Sequence, residues 1–315
     1  MKTLDDFRAI YDLPLPELIF RAAEVHRAHH DYRDIQRCAL LSIKTGGCPE
    51  DCGYCAQSAH FKTGVQAEPL MSVAEVRQRA ERAKELGATR FCMGTAWREP
   101  RNPRQFEQVL DMVREVRALG MEACVTLGML TAEQAEQLRD AGLTAYNHNL
   151  DTSRQHYGNI VTTRAYEDRL KTLQAVAKAG ISVCCGGILG MNETEEDRLL
   201  LLTELAALDP PPESIPINCL VPIAGTPLEH AAPVDGLQLV RLIATTRIAF
   251  PTARVRLSAG RDRMSRELQV LCFLAGANSL FFGDKLLTAP NPSASDDAEL
   301  FQALGLPAVG SGISK

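Results

Sequence analysis

Three closely spaced cysteines are the residues best suited to chemistry in this sequence. Cys48, Cys52 and Cys55 form a C-x3-C-x2-C motif, and the apolar run 38–43 before them is typical of a buried strand. An odd number of thiols does not pair into disulfides, and structural zinc sites usually take four ligands. Three thiolates fit a 4Fe–4S cluster in which one iron stays open. The motif therefore predicts an iron–sulfur site with a free coordination position.

A second set of chemically unusual residues lies inside predicted strands rather than in loops. They are Cys92, Cys124, Cys184 and Arg256, each near the start or middle of its strand. Inward residues of a closed barrel can meet at similar depth, and a buried arginine needs an anion or acceptor-rich surroundings. The residues alone leave two interpretations open. They are four independent core positions, or they form a second and deeper metal site.

The other cysteines are predicted to pack in the apolar core. Because adjacent strand residues face opposite sides, Cys185 should point outward if Cys184 points inward. Free cysteine buries readily, so Cys38, Cys219 and Cys272 are also expected to be core residues.

The fourth predicted strand carries polar residues on one face. Asn147, Asn149 and Asp151 alternate, so they share a face, while His148 should point away from it. Amides suit a neutral ligand with donors and acceptors, Asp151 suits a ribose diol, and Asn218 could reach the same cavity. The alternative is a buried hydrogen-bond network without a ligand, because such groups are costly when unsatisfied.

Strands and helices alternate along the chain that must position these residues. The strands are predicted at 38–43, 90–95, 121–127, 145–150, 181–189, 215–221, 254–258 and 279–283. Helices are predicted at 72–86, 104–119, 131–142, 164–179, 195–208, 235–250 and 263–275. Gly186 and Gly187, at the end of the fifth strand, permit close approach of a ligand or form only a turn.

Eight such units predict an α/β fold, a single (β/α)8 TIM-type barrel with an N-terminal helical extension. A doubly wound open sheet is the alternative. The predicted organisation is a helical extension at 1–37, the barrel at 38–290, and a C-terminal loop, short helix and loose tail at 291–315.

Composition excludes several classes of protein. The 315 residues are 45% apolar and 23% charged, with a net charge of −5, which argues against a general nucleic-acid or anionic-membrane surface. No apolar run approaches the ~18 residues of a membrane span, and residues 1–7 lack a signal-peptide core. A cytoplasmic location is expected, where thiols stay reduced, so ten cysteines need an explanation other than disulfides.

The motifs together resemble one family. C-x3-C-x2-C after a first strand resembles the radical S-adenosylmethionine superfamily, and residues 5 to 305 resemble the biotin synthases. The similarity is carried by the segments 41–55, 91–94, 146–151, 255–261, 285–288 and 290–292.

This resemblance implies cofactors and ligands. Cys48, Cys52 and Cys55 would hold the 4Fe–4S cluster, whose open iron chelates S-adenosylmethionine. A 2Fe–2S cluster would be held deeper in the barrel by Cys92, Cys124, Cys184 and Arg256. Spacing alone makes Arg256 a hydrogen-bonding counter-charge, and only the resemblance makes it a ligand.

The resemblance also implies contacts for small molecules. The residues expected to bind S-adenosylmethionine are Tyr54, Asn149, Asp151, Gly186, Gly187, Ile188 and Val221. The residues expected around dethiobiotin are Asn147, Asn149, Asn218 and Thr288. Two departures from the family pattern are Ala289, where a second threonine is frequent, and Cys185, where a small polar residue is common. Ala289 bears on how the substrate carboxylate is held, and Cys185 bears on how the neighbouring cluster is held.

The implied reaction converts dethiobiotin to biotin by radical sulfur insertion. Adenosyl radicals would come from S-adenosylmethionine, and sulfide from the deep cluster. A flavodoxin or ferredoxin electron donor and a homodimer are implied as well. The rival interpretations are another radical enzyme on the same barrel, such as a hydrogenase-cluster maturase or a methylornithine synthase, and a non-catalytic iron–sulfur protein.

Overall fold

Nine parallel strands form the centre of residues 2–306, the part of the chain that the computed structural model describes. The strands are β1 Gln36–Lys44, β2 Arg90–Thr95, β3 Glu122–Thr126, β4 Ala145–Asn147, β5 Ser182–Cys184, β6 Gly187–Leu189, β7 Ser214–Cys219, β8 Arg254–Leu257 and β9 Ser279–Phe282. Their order in the sheet is β5-β4-β3-β2-β1-β9-β8-β7-β6. The predicted tail at 307–315 lies outside the described residues.

The sheet closes on itself between β5 and β7. Cys184 pairs with Ser214 there, while β6 pairs with β7 further along. β5 and β6 are therefore two halves of the single strand predicted at 181–189, interrupted at 185–186. They share one position in the barrel, so the predicted closed (β/α)8 architecture is confirmed.

Eleven α-helices surround the barrel within residues 2–306. They are α1 Leu4–Tyr11, α2 Leu15–His29, α3 Val73–Glu85, α4 Pro103–Ala118, α5 Ala132–Asp140, α6 Arg154–Tyr157, α7 Tyr166–Lys178, α8 Glu195–Ala207, α9 Gly236–Ala249, α10 Arg266–Leu274 and α11 Ala294–Ala303. The capping boxes predicted at Ser72 and Thr131 are confirmed, since each side chain accepts from the third helical residue.

The N-terminal extension consists of two helices that pack against the barrel's outer layer. Phe7 on α1 and Leu18 on α2 are fully buried, and the Phe7 ring lies 6.3 Å from that of Phe250, at the end of α9. The division of the chain at residues 37 and 290 stays a prediction. Within residues 2–306, no helix has the length and hydropathy to cross a membrane.

Ion pairs close the N-terminal end of the barrel. Arg90 at the start of β2 is 2% exposed, and its guanidinium reaches Glu122 at 2.7 Å and Glu213 at 3.2 Å. Two carboxylates on one buried cation satisfy its charge and most of its donors. These ion pairs lie at the N-terminal end of the strands, whereas the cavity described below opens at the C-terminal end.

His26 and His30 of the N-terminal extension make the folded chain sensitive to acid. Burial and then the charge of Arg247 lower the pKa of each imidazole from 6.5 to about 4. In that range the unfolded chain binds more protons than the folded chain, so the free energy of unfolding falls as the pH drops. In urea we expect a value lower by roughly 3 kcal/mol near pH 5 than near pH 7, with somewhat under 2 kcal/mol from each ring.

The variant His26→Phe should weaken this pH dependence, because it removes one of the two titrating rings. His29→Phe, on the exposed side of the same helix, is the matched control. An unchanged pH dependence in His26→Phe would contradict the assignment.

Candidate functional site

A cavity of about 320 Å³ opens at the C-terminal ends of the strands and reaches down to their middle. Nearly all residues singled out from the sequence line it. They are Cys48, Cys52, Tyr54, Cys55, Cys92, Cys124, Asn147, Asn149, Asp151, Ile188, Asn218, Val221, Arg256 and Thr288. Cys184, Gly186 and Gly187 lie behind its wall. Parallel barrels place functional groups at this end because the strand-to-helix loops meet there.

The loop with the first three cysteines is held by its own backbone. Cys48 N donates to Gln57 O over 2.9 Å, and Ala59 N donates back to Cys48 O over 2.8 Å. Cys55 N donates to Cys52 O over 2.9 Å, which forms a tight turn between the two thiols. The three sulfur atoms are thus presented from a fixed loop at the cavity mouth.

Two acidic residues between these cysteines tie the loop to the segments that follow β2 and β4. Glu50 is 2% exposed, with Arg98 at 2.7 Å and the Arg164 Nε atom at 3.8 Å. Asp51 accepts from the backbone N of Thr163 over 3.1 Å. The sequence did not predict these contacts, because a charged residue alone does not reveal a partner 48 or 112 positions away.

The three thiols are suited to a cluster rather than to a single metal ion. None of the ten cysteines is in a disulfide, and burial raises the pKa of all three loop thiols, that of Cys55 to about 12. Across residues 2–306, no three His, Cys, Asp or Glu side chains converge as the ligands of one metal ion do. Ligands of a 4Fe–4S cluster bind separate irons, so they need not converge on one point.

The second set of cysteines meets deep in the barrel. Cys92 and Cys124 are direct partners across β2 and β3, and both are buried. Cys184 lies on the far side, where the Arg256 Nη1 atom donates to its sulfur over 3.5 Å. The structure therefore brings the four side chains together, and their role as metal ligands stays a prediction.

Arg256 is a buried cation without an acid. It is 0% exposed, and its partners are Ser279 Oγ at 2.9 Å, Gln36 Oε1 at 3.4 Å, the Cys184 sulfur and the Phe281 ring at 5.2 Å. No carboxylate pairs with it within residues 2–306. Burial opposes its charge, yet the surrounding thiols raise its pKa. An anion held by these thiols would supply the missing charge.

A further polar atom in this layer lacks a partner. The Ser214 hydroxyl is buried with no hydrogen bond inside the described range, on the same face of β7 as the cavity residues Pro216 and Asn218. Orphaned buried hydroxyls are uncommon in folded proteins. Three thiols, a lone guanidinium and this hydroxyl together fit a small anionic iron–sulfur cluster.

The polar face of the fourth strand is partly satisfied by its own hydrogen bonds. Asn147 Nδ2 donates to Asn149 Oδ1 and to the Cys184 sulfur, each over 3.3 Å, and Thr126 Oγ1 donates to Asn147 Oδ1 over 3.2 Å. Asn149 Oδ1 also accepts from Gly186 N. Part of the network that was the alternative to a ligand site therefore exists, and it links the deep layer to the cavity.

Asp151 accepts hydrogen bonds from two side chains in a buried ionic network at the cavity wall. Its Oδ2 atom accepts from Tyr54 OH over 2.8 Å and from the Arg169 guanidinium, which also bonds the Asn149 carbonyl. The backbone of Asp151 is left-handed, with a φ of 69°, a conformation rare for residues other than glycine. Tyr54 thus connects the cysteine loop to the fourth strand.

The two glycines after β5 are required by backbone packing. A Cβ atom at Gly186 would lie 2.0 Å from the Pro216 carbonyl oxygen, and one at Gly187 would lie 2.9 Å from the Asp151 carbonyl oxygen. The close approach predicted for a ligand is made here by neighbouring backbone. Asn218 bridges the same region, since it donates to Gly187 O over 3.0 Å and accepts from Ala259 N over 3.2 Å.

A short strap after β9 covers part of the mouth. Lys285 and Pro290 pair as an antiparallel bridge, and Leu286 N donates to Ala289 O over 3.0 Å. This turn places Thr288 and Ala289 on the cavity.

One sequence prediction needs correction. His148 was expected to face away, but it contributes to the cavity wall because β4 ends at Asn147 and strict alternation stops there. The core packing predicted for the other cysteines is confirmed. Cys185, Cys219 and Cys272 pack in the main core, and Cys219 also borders the cavity. Cys38 packs in a smaller buried cluster with Cys92 and Cys124.

The chain is similar in sequence to known proteins of one family. Residues 42–205 match the model of the Radical SAM superfamily, and residues 216–307 match that of the Biotin and Thiamin Synthesis associated domain. The chain is 61% identical to a biotin synthase of Gloeobacter violaceus, covering 96% of each chain. It is 62% identical to a biotin synthase of Methylobacterium nodulans, covering 98% of this chain and 93% of that protein.

A solved structure with a similar fold is that of a methylornithine synthase, with a TM-score of 0.82. It is 18% identical, with 97% of this chain and 94% of the other covered. That likeness concerns the barrel and its surrounding helices alone.

The pair between Arg169 and Asp151 should contribute strongly to stability. Both side chains are 4% exposed, so Arg169→Met would leave a buried carboxylate with Tyr54 as its remaining side-chain partner. Removing one member of a buried ion pair costs about 3–5 kcal/mol. We expect the free energy of unfolding in urea to fall by that order.

Arg139→Met is the control for that measurement, because Arg139 and its partner Asp140 are about half exposed. Loss of such a surface pair costs at most about 1 kcal/mol. Equal losses of unfolding free energy in the two variants would show that the buried pair stabilises the fold no more than a surface pair does.

Proposed function

The chain belongs to the biotin synthase family within the radical S-adenosylmethionine superfamily, and from this premise we infer that it converts dethiobiotin to biotin. It is an enzyme that inserts sulfur by radical chemistry and uses S-adenosylmethionine with a 4Fe–4S cluster. The observation that carries the proposal of a deep cluster is Arg256, a buried cation among three buried cysteines that has no carboxylate partner within residues 2–306.

We propose that Cys48, Cys52 and Cys55 bind the 4Fe–4S cluster at the cavity mouth. When bound, this cluster supplies the electron that splits S-adenosylmethionine into methionine and a 5′-deoxyadenosyl radical. The chain's part is to hold the three sulfur atoms in place. The hydrogen bonds within the loop and the buried Glu50 support that role.

The adenosyl group is proposed to lie against the network around Asp151. Tyr54 and Arg169 fix the carboxylate of Asp151, so its remaining lone pairs are oriented for a ribose diol. Asn149 contributes a second polar contact on the same wall. Further contacts to S-adenosylmethionine are proposed for Ile188 and Val221, which line the cavity, and for the Gly186 and Gly187 backbone behind it.

The deep layer is proposed to hold a 2Fe–2S cluster, which serves as the sulfur donor in the reaction. Its ligands would be Cys92, Cys124, Cys184 and Arg256. The absence of a carboxylate beside Arg256 in the described part of the chain supports an anionic occupant. The buried Arg90 and its two glutamates at this end of the barrel would help to keep water from the radical and from the sulfide.

Dethiobiotin is proposed to lie between the two clusters. Asn147 and Asn149 would hydrogen-bond its ureido ring, with Asn218 beside them, although both polar atoms of Asn218 already bond backbone. Thr288 in the strap would contact the substrate carboxylate. Ala289 offers no hydroxyl next to it, so this end of the substrate would be held by fewer hydrogen bonds than two threonines provide.

The electron donor, the oligomeric state and the cellular location are proposed from the family. The electron donor would be a flavodoxin or ferredoxin, the chain would act as a homodimer, and its location would be the cytoplasm, where ten unpaired cysteines stay reduced. The rival functions, another radical enzyme or a non-catalytic iron–sulfur protein, are not favoured by relatives about 60% identical over nearly the whole chain.

Anaerobic reconstitution with iron and sulfide, followed by S-adenosylmethionine, reductant and dethiobiotin, tests this function. The expected products are 5′-deoxyadenosine and biotin. Cys48→Ser should abolish both products, because it removes a ligand of the cluster that cleaves S-adenosylmethionine.

Cys124→Ser is the matched variant for the deep site. It should still form 5′-deoxyadenosine but little biotin, since only the sulfur donor is disturbed. Wild-type protein that forms 5′-deoxyadenosine without biotin would contradict the proposed substrate, and full biotin yield from Cys124→Ser would contradict the deep cluster.

A further inference from the structure

A fourth cysteine belongs to the deep layer, although the family-implied ligand set does not include it. Cys38 on β1 is fully buried and packs in a small cluster with Cys92, Cys124, Phe281 and Leu286. This cluster is separate from the main apolar core, where Cys185 and Cys272 pack. The thiols of Cys38 and Cys92 lie within hydrogen-bonding reach of each other.

Cys38 shares its polar neighbours with Arg256. The Cys38 sulfur lies 3.4 Å from Gln36 Oε1 and 3.6 Å from Ser279 Oγ. Arg256 donates to the same two atoms, over 3.4 Å to Gln36 Oε1 and 2.9 Å to Ser279 Oγ. The two side chains thus approach one position of the deep layer from neighbouring sides, linked by the Ser279 hydroxyl.

The two side chains differ greatly as iron ligands. A guanidinium binds iron only after it loses a proton, and arginine side chains in proteins do not readily deprotonate. A thiol becomes a good iron ligand because the metal itself drives deprotonation. With Cys38 included, the layer offers four thiols, the usual ligand number of a 2Fe–2S cluster.

We propose that Cys38 is a reserve ligand of the deep cluster that takes the fourth position when Arg256 does not occupy it. The proposal rests on the deep cluster of the proposed function. In the exchange, an iron–sulfur bond to Cys38 would replace the iron–nitrogen bond to Arg256. The Cys38 thiol would lose one proton and the released guanidine would gain one, so protons balance and no electron is gained or lost.

This exchange gives the deep site two forms with different charge. With Arg256 as ligand, the nitrogen is neutral and three thiolates bind the irons. With Cys38 as ligand, four thiolates bind the irons and the protonated Arg256 lies beside them as a counter-ion. The site can therefore keep its irons when the arginine is released or replaced.

Iron and acid-labile sulfide content after anaerobic reconstitution tests the proposal in three variants. Arg256→Met and the control Arg256→Met/Cys272→Ser should keep the wild-type iron content. Arg256→Met/Cys38→Ser should lose about one third of it, the two deep irons out of six. Circular dichroism checks that each variant is folded, and the retained 4Fe–4S spectrum checks the other site.

Mössbauer spectra of Arg256→Met alone provide a second measurement, which does not depend on the double variant. The two deep irons should become equivalent, because each would be bound by two thiolates. Loss of the deep irons in Arg256→Met, their retention without Cys38, or inequivalent irons in Arg256→Met would each overturn the proposal. Wild-type protein that binds only four irons would instead overturn the deep cluster itself, and this proposal with it.

Discussion

The buried positive charge of Arg256 is the constraint on which the deep half of this protein depends. An isolated guanidinium in an apolar interior is costly, and natural proteins pair it with acids. Here the neighbouring atoms belong to thiols, a hydroxyl, an amide and an aromatic ring. The positive charge of Arg256 is neutralised only when the surrounding thiols are thiolates. Iron binding deprotonates thiols, so a bound cluster would supply that negative charge at neutral pH.

The closed barrel makes such a layer possible. Parallel strands in fixed register bring Cys92 beside Cys124 and Cys184 opposite Asn147, so residues far apart in sequence reach one depth. The ion pairs of Arg90 close the floor beneath them. Above lies the cysteine loop, which Glu50 and Asp51 anchor to Arg98 and Thr163. Cysteines of both sets line one cavity of about 320 Å³, as the proposed reaction with a radical-forming site and a sulfur-donating site requires.

The sequence predicted the parts of the protein that depend on local pattern. Strand and helix alternation, the capping boxes at Ser72 and Thr131, and the period-two face of the fourth strand are all local signals. Contacts between distant positions were not predictable in this way. Arg169 reaches Asp151 because α7 packs against β5, the strand that pairs with β4. Cys38 joins the deep thiols because β1 and β2 are neighbours. His148 lines the cavity because its strand ends one residue earlier, which alternation could not foresee.

The central claim is that the deep layer holds the sulfur that enters the product. The most direct measurement is the isotopic composition of biotin from protein reconstituted with 34S-labelled sulfide and then freed of unbound sulfide. The reaction is run anaerobically with unlabelled sulfide in solution. Biotin from the first turnover is expected to carry 34S. Unlabelled biotin from the first turnover would contradict it, because the sulfur would then come from solution rather than from the layer around Cys92, Cys124 and Cys184.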